Sequence, residues 1–190
     1  CVAMAEAIAG SNTAFIEQMN TKAAELGMNN THFNSCTGLD TEDHYTTARD
    51  MAKILMAALE YSAFKDIYST SRYVVPETNL RGERILNSTN YLIAPEIIDF
   101  YYEPLITGGK TGYTSAAGRC LASTAEREDS DLKLICIILG AEEIINDSTV
   151  NNVVKQMGSL RATRLVITDR NGLAIFDSAE ESQVGKYMLL

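Results

Sequence analysis

The sequence predicts an α+β chain, with helices first and antiparallel strands after them. Up to about residue 60, apolar residues recur at helical spacing; beyond residue 70 they gather in short runs divided by turn residues. Near the C-terminus two apolar runs flank Asp169-Arg170-Asn171-Gly172, a hairpin signal built on the favoured Asn-Gly pair. The expected architecture is an antiparallel sheet packed with helices, followed by a C-terminal helix and β-hairpin.

Residues 2–9, "VAMAEAIA", are small and apolar and predict a buried helix that stops at Gly10. "SNTAFIEQMNTKAAELG" places Phe15, Met19, Ala23 and Leu26 on one helical face, with Ser11 or Asn12 as cap and Gly27 as stop. "NNTHFNSCTGLDTEDHY" is turn chemistry and predicts an ordered loop. A third helix is expected over "TTARDMAKILMAALEYS". Thr47 and Asp50 there resemble a capping box, and Met51, Ile54, Leu55 and Ala58 form the buried stripe.

"SRYVVPE" reads as a short strand with Pro76 at its end, and "RILNSTNYLI" as a turn leading into a short helical piece. "EPLITGGKTGYT", "GRCLASTAERE" and "DLKLICIILGAEE" follow, the last two being strands joined by a hairpin. From about residue 144 the texture shifts. An amphipathic helix carrying Val150, Val153, Val154 and Met157 is expected before the hairpin, so 1–143 and 144–190 are separate segments.

Composition narrows the function. At 190 residues the chain holds one domain, or one and a fragment; 46% apolar and 22% charged residues describe a globular protein with a real core. A net charge of −9 with scattered basic residues argues against nucleic acid. No run of about 18 apolar residues is present to span a membrane as a helix, and membrane anchoring is left open. The opening "CVAMAEAIAG" has no initiator Met and reads as an excised or processed piece. Cys1, Cys36, Cys120 and Cys136 allow three pairings, and without a Cys-x-x-Cys or a His pair they do not suit zinc. They are expected to be mostly buried free thiols, with Cys120 and Cys136 in the core.

The chemistry centres on "LITGGKTGYTSAAGRC", residues 105–120. On an edge strand Lys110 and Gly112 point to one face and Thr111 to the other, unless a twist re-aims them. An ammonium and a hydroxyl side by side suit a carboxylate, and a glycine admits another backbone. The combination fits an extended peptide ending in a free carboxyl group. A phosphate loop is the competitor. It needs a further glycine where this chain has Pro104 or Leu105, and a helix after the Thr where Gly112 and Gly118 stand.

Lys-Thr-Gly does not stand alone. "CVAMAEAIAGS", "FIEQMNTKAAELGMNNTHF", "TGLD", "YTTARDMAKI", "GGKTGYTSAAGRCLASTAE" and "LICIILGAE" run in one order from Cys1 to about Glu143. In that order and spacing they resemble the serine D-alanyl-D-alanine carboxypeptidases, the low-molecular-weight penicillin-binding proteins of peptidase family S11. The resemblance implies a partial beta-lactamase/transpeptidase-like fold. It also implies a Ser-x-x-Lys nucleophile and base, an assisting Ser-x-Asn element, and the Lys-Thr-Gly strand. Carried onto this chain, Lys110 supplies positive charge near the substrate carboxylate and Thr111 hydrogen-bonds it beside Gly112. The backbone N–H of Tyr113 is one oxyanion-hole donor. Arg84 is a second candidate for carboxylate or strand contacts, against the alternative of an exposed surface arginine.

The serine nucleophile and its lysine base are expected to be absent from this chain, as is the Ser-x-Asn element, because the resemblance places all of them before Cys1. Neither Ser11-Asn12-Thr13 nor Ser71-Arg72-Tyr73 is positioned to substitute. The implied partner is a peptidoglycan pentapeptide ending in D-Ala-D-Ala, with beta-lactams bound covalently only if the missing serine is supplied. The resemblance implies an extracytoplasmic location and no metal or other cofactor. Residues 144–190 are similar instead to the extracytoplasmic sensor region of histidine kinases; a lineage-specific ending of the same domain is the other reading. The competing function is a non-catalytic peptidoglycan-binding or sensory module.

Overall fold

The computed structural model describes residues 1–126, 133–141, 164–168 and 174–177, the last two stretches by their backbone alone. Four helices come first: α1 (Val2–Ala9), α2 (Asn12–Glu25), α3 (Ala48–Ala58) and α4 (Ser62–Tyr68). β1 (Arg72–Val75) and β2 (Arg84–Asn87) form a small antiparallel sheet, and a 3-10 helix spans Tyr91–Ile93. The main sheet is antiparallel in the order β3-β4-β5-β6-β7. Its strands are β3 (Ile106–Thr114), β4 (Gly118–Glu126), β5 (Lys133–Ala141), β6 (Arg164–Thr168) and β7 (Ala174–Asp177).

Helix punctuation follows the sequence closely. Gly10 ends α1 at φ 81°, and its N–H donates to the Glu6 carbonyl. Ser11 caps α2 by accepting from the Ala14 N–H at 3.1 Å. Gly27 follows α2 at φ 67°, and the Lys53 ammonium donates to its carbonyl. The expectation that α1 is buried fails. Only Ala5 of this helix is buried, while Met4 is 68% and Ile8 63% exposed, because α1 packs on α2 through one narrow face.

α3 keeps half of its expected capping box. The Thr47 hydroxyl accepts from the Asp50 N–H at 3.2 Å. The Asp50 carboxylate, one methylene shorter than the usual glutamate, turns inward to the loop instead. It accepts from the Asn30 N–H and the Thr31 hydroxyl at 2.9 Å each and pairs with Lys53 at 3.4 Å. This single buried anion orders the loop that the sequence marked as turn chemistry.

The core lies between α3, α4 and the main sheet. Ala48, Ala52 and Leu55 pack with Tyr68, Ile135 and Ile137, with Met51, Met56 and Leu59 alongside. The buried stripe of α3 therefore sits at Ala48, Ala52 and Leu55, while Ile54 and Ala58 lie only half-buried. The alanines explain the rotation, since small side chains let the helix approach the isoleucines of β5 closely. Two elements differ from the sequence reading. The expected third helix ends at Ala58 and a further helix, α4, follows over Ser62–Tyr68 where none was expected, and residues 84–87 are a strand rather than a turn, paired Val74 to Ile85 and Tyr73 to Leu86.

The C-terminal hairpin is present in the backbone, Ile167 opposite Phe176, and β6 pairs along β5 from Ile135 to Leu139. The Asp169–Gly172 turn, the 127–132 turn and the helix expected over Val150–Met157 fall outside the described residues.

Candidate carboxylate-binding edge

Among the described residues β3 is the outer strand of the main sheet, hydrogen-bonded to β4 on one side only. A peptide strand can therefore add along its other margin. The strand continues from Ile106 through Gly109-Lys110-Thr111 to Thr114. This excludes a phosphate loop, which would need a turn and a helix at that point.

Two of the three glycines here are dictated by packing. A β-carbon on Gly108 would lie 2.2 Å from the Tyr68 ring, and one on Gly109 would lie 2.1 Å from the Asn90 amide nitrogen. The close approach inferred from the sequence is thus made by side chains of α4 and of the turn before the 3-10 helix. Gly112 differs, since its nearest neighbour would be the Cys120 β-carbon at 3.8 Å.

Lys110 is exposed, and its ammonium curls along the strand to donate to the Thr111 carbonyl. Strand alternation would separate Lys110 from Thr111, and this curl brings the charge back beside it. The half-buried Thr111 hydroxyl bonds the Thr89 hydroxyl. Tyr113 is 66% exposed, with the Arg119 guanidinium 5.2 Å from its ring centre. The Thr114 hydroxyl closes the row, donating to Asp40 of the "TGLD" loop at 2.8 Å and accepting from the Ala117 N–H at 2.9 Å. Ammonium, hydroxyl and glycine are thus consecutive on a free sheet margin, a surface able to take a carboxylate and an extended backbone.

Arg84 is exposed on β2, opposite Val75 in the small sheet, which is separate from the main one. A cavity of about 430 Å³ also lies away from Lys110, between α3, α4 and the far end of the sheet. Met56, Leu59, Tyr68, Thr107, Thr124 and Ile135 are among its lining residues.

Spacing alone gives this chain more than the sequence reading credited to it. Ser-x-x-Lys occurs at Ser62–Lys65 and Ser130–Lys133, and Ser-x-Asn at Ser88–Asn90. Ser62 opens α4, and both it and Lys65 are exposed with no hydrogen bond between their side chains, so they do not form a poised nucleophile and base. Ser130 lies outside the described residues. Ser88-Thr89-Asn90, by contrast, lies directly against β3. Its nearness was invisible in the sequence, where 22 residues separate Thr89 from Thr111.

This partial α+β fold is shared with solved DD-transpeptidases and penicillin-binding proteins. Streptomyces K15 DD-transpeptidase superimposes with a TM-score of 0.60 at 29% identity, over 76% of this chain and 53% of that one. A D-alanyl-D-alanine carboxypeptidase from Mycobacterium tuberculosis gives 0.55 at 31% identity, over 65% and 44%. The chain belongs to the peptidase S11 family, D-alanyl-D-alanine carboxypeptidase, whose sequence model matches residues 1–143. Among relatives, the carboxypeptidase DacF of Bacillus subtilis is 36% identical over 140 residues, 74% of this chain and 33% of its own length. DacA of Escherichia coli is 36% identical over 145 residues, 74% and 32%. The chain spans about a third of the length of these curated relatives.

Proposed function

We propose that this chain carries the substrate-carboxylate wall of an extracytoplasmic serine-type D-Ala-D-Ala carboxypeptidase acting on peptidoglycan stem peptides. In that reaction a serine attacks the penultimate D-Ala carbonyl, the terminal D-Ala leaves, and water hydrolyses the acyl-enzyme. Lys110 and Thr111 hold the terminal carboxylate, Gly112 leaves room for the ligand backbone, and the Tyr113 N–H is an oxyanion donor. Arg84 has no part in this reading. The observation that carries it is the Lys110-Thr111-Gly112 row on the unpaired margin of β3, inside the stretch that matches the family. Residues 144–190, beyond that stretch, are read as an appended segment.

The chain alone performs no acyl transfer in this reading. Its described Ser-x-x-Lys pair is exposed and unlinked, and loss of a serine nucleophile costs several orders of magnitude in rate. Incubation with a fluorescent penicillin tests both parts. The 190-residue chain is expected to stay unlabelled, while a longer product that supplies the serine element labels and releases D-Ala. Labelling of this chain, abolished by Ser62→Ala, would overturn the claim of inactivity. A longer product that neither labels nor releases D-Ala would leave a binding module as the function.

A further inference from the structure

We propose that Thr89 is the positioning residue for the Thr111 hydroxyl, holding it as a hydrogen-bond donor toward the bound carboxylate. This rests on reading Thr111 as a carboxylate ligand. A threonine hydroxyl has one hydrogen to donate and two lone pairs to accept with. The Thr89–Thr111 bond can run either way, but the directions are not equivalent for an anion. If Thr111 donates to Thr89, it turns only lone pairs toward the carboxylate. If Thr89 donates, the hydrogen of Thr111 is released to the ligand. Carboxylate binding therefore selects Thr89 as donor, and Thr89 sets the orientation of the group that recognises the substrate.

The turn around Thr89 is built to keep it there. The Ser88 N–H donates to the Ser71 carbonyl at 2.7 Å, and the Ser88 hydroxyl accepts from the Asn90 N–H at 3.1 Å. The Asn90 side-chain oxygen accepts from the Leu92 N–H at 3.3 Å, tying the turn to the 3-10 helix. Asn90 is only 3% exposed, and its amide nitrogen, without a hydrogen-bond partner among the described residues, is wedged against Gly109. That wedge fixes the spacing between turn and strand one register step from Lys110. Branching at the β-carbon then limits the rotamers available to Thr89.

The test uses the 190-residue chain and diacetyl-L-Lys-D-Ala-D-Ala, offered as the free acid and as the C-terminal amide. Binding is followed through the amide NMR signals of Thr111 and Gly112, beside thermal melts. The wild type and Thr89→Ser are expected to prefer the acid. Thr89→Val and Thr89→Ala lose about tenfold of that preference, the scale of one hydrogen bond to a charged group, with melting unchanged. They also shift the Thr111 signal in the ligand-free chain. Retention of the full acid preference in both hydroxyl-free variants, while Lys110→Ala and Thr111→Val lose it, would overturn the role of Thr89 alone. Equal binding of acid and amide by the wild type would overturn the carboxylate reading and this inference with it.

Discussion

A methyl group at Gly108 would run into the Tyr68 ring, and one at Gly109 into the Asn90 amide, whereas Gly112 has ordinary van der Waals room for it. The three glycines of one strand therefore separate experimentally. Gly108→Ala and Gly109→Ala are each expected to cost about 1–3 kcal/mol as overpacked sites. Gly112→Ala should fold within about 0.5 kcal/mol of wild type and lose peptide binding instead. Denaturant midpoints paired with a D-Ala-D-Ala titration check this. Asp50 gives a second prediction at the same scale. Asp50→Ala strands the Asn30 N–H, leaves the Thr31 hydroxyl only the Thr46 hydroxyl as partner, and leaves the half-buried Lys53 without its carboxylate. A loss of about 3 kcal/mol in urea unfolding is expected; a loss under about 1 kcal/mol would show that the loop does not depend on this anion.

Among the elements, α3 shows how a local signal and a tertiary demand divide one residue. The Asp50 backbone obeys the cap, and its side chain serves the loop. Thr47→Ala should accordingly cost about 1 kcal/mol, the usual worth of a lost N-cap, whereas Thr47→Ser should restore most of it. Thermal melts of the two variants decide. β2 shows the opposite case. Ile85 and Leu86 form too short an apolar run, between Arg84 and Asn87, to announce a strand. Pairing with Tyr73 and Val74 makes it one. The helix 46–62 expected from periodicity contains no Gly or Pro to mark a break, yet the chain turns at residues 59–61, and α4 carries Tyr68 to Gly108.

Across the whole molecule, the sheet core makes stability sensitive to alkali. Burial pushes the Cys136 thiol up to about 12 from an ordinary 9.0, and the Tyr68 phenol to about 12 from 10.0. Both groups are neutral when protonated, so the fold favours their protonated forms. Above about pH 9 the unfolded chain loses the thiol proton first, and the folded chain keeps it. Stability is thus intact below pH 9 and declines as pH rises from 9 toward 12, at about 1.4 kcal/mol per pH unit for the thiol. Urea midpoints from pH 8 to 11 should fall with that slope, and Cys136→Ala should flatten it. An unchanged slope in that variant would assign the loss elsewhere.

Helix ends at Gly10 and Ser11, the hairpin flanks near residue 170, the Lys-Thr-Gly row and the family itself were legible in the linear chain. Each depends on residue type at short range, or on the order of whole segments. The burial of α1, the face α3 presents and the strand at Arg84–Asn87 were not. Each depends on which surfaces meet. So the amino-acid order by itself determined the α+β character and the presence of the Lys-Thr-Gly triplet. Only the tertiary structure decided that Thr89 meets Thr111 of that triplet and Asn90 meets Gly109 beside it. A hydroxyl pair and a wedged amide exist only once distant backbone segments have been packed side by side, and no local preference encodes that meeting.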